Sequence, residues 1–243
     1  MNQTRWIALL LAALLLAGCS REGFEASLSR GEEVSSSEAA AEKDEPVGAV
    51  YELETLTVDG IDGEYQVPAV TDEAQEKAVK RISRSIRGMV GQLPTLLAGE
   101  GEAPALSLTC RITCNDGIYF SVAFSVTAER NGETEHYGWG MTYDSATGGP
   151  EGIDGFADPE ALSVLLLDGP SFELIGQEEY AEQQRSYLTE LGSDEILRLL
   201  TESDISDTSK LPEASYYLDG AKIVAVFLVP QEIGGVLCAA VGS

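Results

Sequence analysis

From Leu106 to Val126 apolar and polar residues alternate with a period of two. Leu106, Leu108, Cys110, Ile112 and Cys114 interleave with Ser107, Thr109, Arg111 and Thr113, and the alternation resumes after Asn115-Asp116-Gly117 as Ile118, Phe120, Val122, Phe124 and Val126. Two such runs on either side of a turn signal predict a β-hairpin with one buried face. Thr134 to Tyr143 extends the sheet after a second turn at Asn131-Gly132, and Val50 to Val58 and Glu64 to Val70 read as two further strands around Asp59 to Gly63. Downstream of Thr71 the period changes. Ala78, Ile82, Ile86, Met89 and Leu93 recur at intervals of three and four, which predicts a helix capped by Thr71 with Asp72 and Glu73 in its first turn. Ile82 and Ile86 should cover a face built from Leu106, Leu108, Cys110, Ile112, Ile118, Phe120, Val122 and Phe124.

Past the hairpins, Asp158-Pro159 opens a short helix through about Leu167, and Glu178 to Thr201 reads as helical with a break near Gly192-Ser193. Ser215 to Leu218 and Ala221 to Val229 form a last hairpin across Asp219-Gly220. Strands, a helix, more strands, more helices and closing strands predict an α+β fold: an antiparallel β-sheet with helices packed on one face.

The N-terminus follows a different pattern. Arg5 precedes the 11-residue apolar run Trp6 to Leu16, and Leu16-Ala17-Gly18-Cys19 follows. The run is too short for a spanning helix, which needs about 20 residues, and residues 1–19 read as a bacterial lipoprotein signal peptide. Leu-Ala-Gly-Cys resembles a lipobox, so Cys19 is the expected lipid-attachment residue and the first residue of the mature chain. Two acyl chains on Cys19 would meet the two-signal requirement for stable anchoring, and the expected location is the extracytoplasmic side of the cell membrane. Residues 20–48, rich in Ser, Glu and Ala, lack the apolar area to offset ordering. They read as an acidic tether with a root-mean-square reach of roughly 30 Å. Residues 49–243 are the expected single folded domain.

Charge narrows the partners. The chain carries 41 acidic and 15 basic residues, a net charge of −26, and loses only Arg5 with the signal peptide. Such a balance excludes nucleic acid, which needs clustered cations, and favours a cationic partner such as a basic protein. The dense basic cluster Lys77, Lys80, Arg81, Arg84 and Arg87 lies on the first long helix, where it reads as a solvated face.

Motifs for chemistry are missing. His136 is the single imidazole, in the polar stretch Glu133 to Tyr137, where it should lie on the surface with no Gly-x-Ser-x-Gly elbow to serve. No catalytic residue, cofactor or metal ligand set is expected. Asp144 to Gly148 lacks the alternating ligands of a calcium loop and reads as a tight turn. Cys110 and Cys114, four apart in a strand, would have Cα atoms roughly 13 Å apart, too far for a disulfide; pairing of either with Cys238 stays open. Tyr137-Gly138-Trp139-Gly140 marks close backbone approach or a bulge, through core packing or as an aromatic recognition patch.

The C-terminal residues carry a resemblance. Ser215-Tyr216-Tyr217-Leu218-Asp219-Gly220, then Ile223 to Phe227, then Pro230-Gln231-Glu232-Ile233-Gly234 resembles the closing hairpin of the RsiV-like extracytoplasmic domain of unknown function. Tyr65-Gln66-Val67-Pro68 with its following helix, and Tyr143 through Thr147-Gly148 to Phe156, are similar to other parts of that family's pattern. Gln231 departs from it, standing where the family has Tyr, and the strand around Cys238-Ala239-Ala240 should be short. The family includes the extracytoplasmic part of a lysozyme-sensing anti-sigma factor and a non-catalytic region of some peptidoglycan deacetylases. The resemblance therefore implies a non-catalytic binding or sensing module for a protein or cell-wall ligand. The alternatives are an envelope hydrolase using carboxylates, betrayed by two facing carboxylates in an enclosed pocket, or an accessory structural lipoprotein of a membrane complex.

Overall fold

A computed structural model of the chain describes residues 50–98, 103–176 and 178–242. Cys19, the signal-peptide segment and residues 20–48 lie outside the described residues.

Two sheets form the centre of the α+β fold. The first has five strands in spatial order β1 (Leu53–Leu56), β2 (Ile61–Pro68), β3 (Ala105–Asn115), β4 (Tyr119–Arg130) and β5 (Glu133–Asp144). The second has order β6 (Phe172–Ile175), β9 (Val236–Val241), β8 (Lys222–Leu228) and β7 (Ala214–Asp219). Every pairing is antiparallel except β2 with β3. That pair is parallel because helix α1 (Glu76–Leu96) connects its strands, and a crossover helix returns the chain in the same direction.

Each sheet carries helices on one face and meets the other sheet on its second face. Ile82, Ile86, Met89 and Leu93 of α1 share a fully buried core with Phe120, Val122, Trp139 and Met141 of the first sheet. On the second sheet, α2 (Pro159–Leu165) and α3 (Ala181–Thr201) cover Ala225, Phe227, Leu237 and Ala239 with Leu162, Leu188, Ile196 and Leu200. Between the sheets, Tyr217, Val224, Val226 and Ala240 pack against Ala123, Val236 and Cys238.

Several boundaries repay a physical reading. Asp158 caps α2, its carboxylate accepting from Glu160 N at 3.0 Å and Ala161 N at 3.3 Å, with Pro159 in the first turn. The expected interruption in α3 falls at Gly192, whose φ of 74° is open to glycine and costly for other residues. The start of α1 differs from expectation. Thr71 does not cap it; the helix begins at Glu76, because Asp72 accepts from Ala74 N at 2.9 Å and holds a turn ahead of it. A local carboxylate-to-backbone bond of this kind competes with helix.

The period-two hairpin holds from Leu106 to Ile112 and then slips. Ile112 lies opposite Val122 but Cys114 lies opposite Ser121, so Thr113 is an extra residue in a β-bulge. The bulge moves Cys114 off the helix-facing side, and Ile118 leaves the sheet for the turn, where it is exposed. Phe120, Val122 and Phe124 stay buried beneath α1 as expected. Beyond the bulge, β9 is a full six-residue strand where a short one was expected, and β6 is a strand the periodicity did not show.

Candidate functional site

A groove of about 530 Å³ opens at the C-terminal end of α1. Leu96, Leu97, Leu211 and Leu228 line it with apolar surface, and Arg130, Glu135, Tyr137, Ser209 and Lys210 supply the polar groups. The placement follows from local chemistry. Arg130 ends β4 on its helix-facing side and donates from Nη2 to the Leu97 carbonyl at 2.7 Å, a cation on the last carbonyls of a helix. Its Nε is buried with no hydrogen-bond partner among the described residues. Tyr137 donates to Glu135 Oε2 at 3.0 Å. Burial pushes the Tyr137 hydroxyl up to about 12, the Glu135 carboxylate adds to the rise, and Arg130 opposes it. The groove thus presents cations, a carboxylate and leucine side chains together, an arrangement suited to holding an amphiphilic ligand.

Of the groove residues only Tyr137 stood out in the sequence, as part of Tyr137-Gly138-Trp139-Gly140. They come from the end of a helix, the ends of two strands, the start of a third and the loop at 209–211, and no spacing links them. Arg130 beside the Asn131-Gly132 turn was the other available signal.

A second, smaller cleft lies along β6, where Phe172, Leu174, Glu173, Glu178 and Arg185 meet. Arg185 sits 4.7 Å above the Phe172 ring and donates to the Gly169 carbonyl. Glu173 meets Lys222 at 3.0 Å on the surface.

Residues singled out in the sequence fall elsewhere. His136 is half-buried where exposure was expected, because Gln231 grips its backbone: His136 N donates to Gln231 Oε1 at 2.8 Å, and Gln231 Nε2 donates to the His136 carbonyl at 3.0 Å. Asp144 to Gly148 is a tight turn, closed by Thr147 N on the Asp144 carboxylate at 2.7 Å and Gly148 N on the Asp144 carbonyl at 2.8 Å. Cys110, Cys114 and Cys238 are free thiols. Cys110 packs against the core under α1 and Cys238 against the inter-sheet layer, so the first sheet separates them. Among the described residues no group of three or more His, Cys, Asp or Glu is placed to hold a metal ion.

Tyr137-Gly138-Trp139-Gly140 serves close approach. Trp139 points toward α1 and stacks on Phe124 with ring centroids 4.9 Å apart, while a Cβ added at Gly140 would lie 2.8 Å from the Tyr216 carbonyl of the other sheet.

The fold and groove define an α+β module of two stacked sheets with helices outside. No protein-family model matches the chain. No curated protein matches it either. Among solved structures, the crystal structure of a DUF3298 family protein from Pseudomonas aeruginosa PAO1 is similar over 81% of this chain and 91% of that one, at 9% identity and a TM-score of 0.37. A likeness that loose says nothing of function.

Proposed function

We propose that the protein is a lipid-anchored extracytoplasmic lipoprotein, held at the membrane through Cys19, whose folded part is a non-catalytic binding module for a basic protein or a cell-wall component. The observation that carries the anchor is the string Leu16-Ala17-Gly18-Cys19 directly after an apolar run too short to span. The ligand class follows from the resemblance to the RsiV-like domain and from the net charge of −26, which steers cationic partners. The groove at the end of α1 supplies what such a module needs: apolar surface for an anchor residue, and Arg130, Lys210 and Glu135 to orient it.

Envelope fractionation tests the anchor. The chain should partition with membranes and Cys19→Ser should release it; a mutant that stays with membranes overturns the anchor. Binding is a separate measurement on the Cys19→Ser chain, with purified lysozyme and with peptidoglycan sacculi as probes. One of the two should be retained, and Leu211→Glu in the groove should weaken retention by tenfold or more. Retention of neither probe sinks the binding role and leaves the anchor standing.

A further inference from the structure

The solvent face of α1 is out of keeping with the rest of the molecule. Lys77, Lys80, Arg81, Arg84 and Arg87 are all exposed, and at about 100° per residue they fall within an arc of roughly 120° along about 15 Å of helix. They are five of the 15 basic residues in a chain of net charge −26. Lys80 pairs with Glu76, and Arg87 lies 3.4 Å from Glu54. Among the described residues, no carboxylate is within ion-pair distance of Lys77, Arg81 or Arg84.

The chain enters the fold beside this face. Tyr51 is tied in at its backbone by Asn115, with bonds of 2.9 Å and 2.8 Å, and its hydroxyl donates to the Ser145 carbonyl. Three residues on, Gly148 lies against the backbone of Ala78 in the first turns of α1, and Gly149 lies next to the Arg81 guanidinium. At the other end of the face, Glu54 meets Arg87. The residues that lead into Tyr51 carry eight acids between Glu22 and Glu45, against Arg21, Arg30 and Lys43. Glu45, six residues before Tyr51, reaches at most about 20 Å from it, farther than the face is long.

We propose that this basic face is a docking surface for the acidic segment 22–45 of the same chain. The match is of charge and of position. Attachment a few residues away gives the segment a local concentration in the millimolar range, enough to favour contacts that are individually weak between exposed ions. Docked, the segment covers the dense basic cluster and shortens the spacer between Cys19 and the folded part. The inference does not depend on lipidation of Cys19 or on the groove.

Zero-length carbodiimide cross-linking of the mature chain (residues 19–243 with Cys19→Ser), read by mass spectrometry, tests it. Lys77 and Lys80 should link to acids between Glu22 and Glu45 at low salt. Those links should fall several-fold relative to the Lys80–Glu76 link at about 0.5 M salt, where screening is complete within a few ångströms. The triple variant Arg81→Ser, Arg84→Ser, Arg87→Ser keeps both lysines and should lose most of the links. Links that are absent, or indifferent to salt and to the triple variant, overturn the proposal. So do links found only between chains in a mixture of isotope-labelled and unlabelled protein, which would make the occupant a second copy. With phosphatidylglycerol vesicles added the links should persist; their loss together with arginine-dependent co-sedimentation would give the face to lipid and overturn the proposal.

Discussion

Strands β4 and β5 put different chemistry on their two faces. Toward α1 they present Phe120, Val122, Phe124, Trp139, Met141 and Tyr143, large side chains with almost no exposure. Toward the second sheet they present Ser121, Ala123, Gly138, Gly140 and Thr142. The first face is filled by volume. The second is filled by proximity: without side chains at Gly138 and Gly140, β5 lies against the Val236 side chain, the Tyr216 backbone and the Tyr217 ring. The polar groups trapped there bond across the gap. Gly140 N donates to Ser215 Oγ at 2.9 Å and Leu218 N donates to Ser121 Oγ at 3.3 Å, while the Ser121 and Thr142 hydroxyls, side by side in the first sheet, lie 2.9 Å apart. A helix brings its own side chains to a sheet, whereas two sheets must agree on a spacing, and here the small residues set it.

The sharpest way to break the contrast is to empty the crowded face. Phe120→Ala should cost about 3–5 kcal/mol, because a fully buried ring leaves a cavity that β4 and α1 cannot close. Denaturant unfolding measures it, and a loss under 1 kcal/mol would mean that this face is loosely packed.

Filling the thin face should also destabilise. Gly140→Ala puts a Cβ 2.7 Å from Tyr217 Cδ1 and 2.8 Å from the Tyr216 backbone, and the sheets must separate to admit it. About 1–3 kcal/mol is expected, against the few tenths gained where alanine replaces glycine without strain. A stabilised variant would show that the sheets slide freely.

The same layer responds to alkali. Burial pushes the Tyr217 hydroxyl up to about 12 and the Cys238 thiol up to about 11, and on the helix-facing side of the same sheet it pushes the Tyr216 hydroxyl up to about 12. The folded chain therefore keeps protons that the unfolded chain releases above about pH 8.5 for Cys and 10 for Tyr, so stability is full below that range and falls as pH rises through 11 to 12. Tyr217→Phe should make that decline less steep, as seen in unfolding midpoints between pH 9 and 12.

His136→Ala is expected to change stability by less than about 0.5 kcal/mol. Gln231 holds the His136 backbone, so the imidazole is dispensable while the amide is not, and Gln231→Ala should cost about 1–2 kcal/mol. Equal effects of the two variants would assign the clamp to the histidine ring.

Much of the α1 side was legible because amphipathic periodicity records a single buried face. Ile82 and Ile86 over Phe120 and Val122 follow from intervals of three and four set against intervals of two. The groove was not legible. Leu97, Arg130, Tyr137 and Lys210 meet only because the ends of α1 and β4, the start of β5 and the 209–211 loop come to one place. The bulge at Thr113 left no mark either, since one extra residue in eleven does not disturb the visible alternation.

By itself, the sequence determined most of the segments that become strand or helix, where Asp158 starts a helix and Gly192 breaks one, and the strongly acidic charge, because these depend on neighbours along the chain or on composition alone. Only the tertiary structure decided that the nine strands of the described residues divide into two sheets, that β2 and β3 run parallel, and that Gly138 and Gly140 serve the approach of one sheet to the other. Those features depend on which surfaces meet, and distant segments meet by shape and by the satisfaction of buried polar groups, neither of which has a period in the sequence.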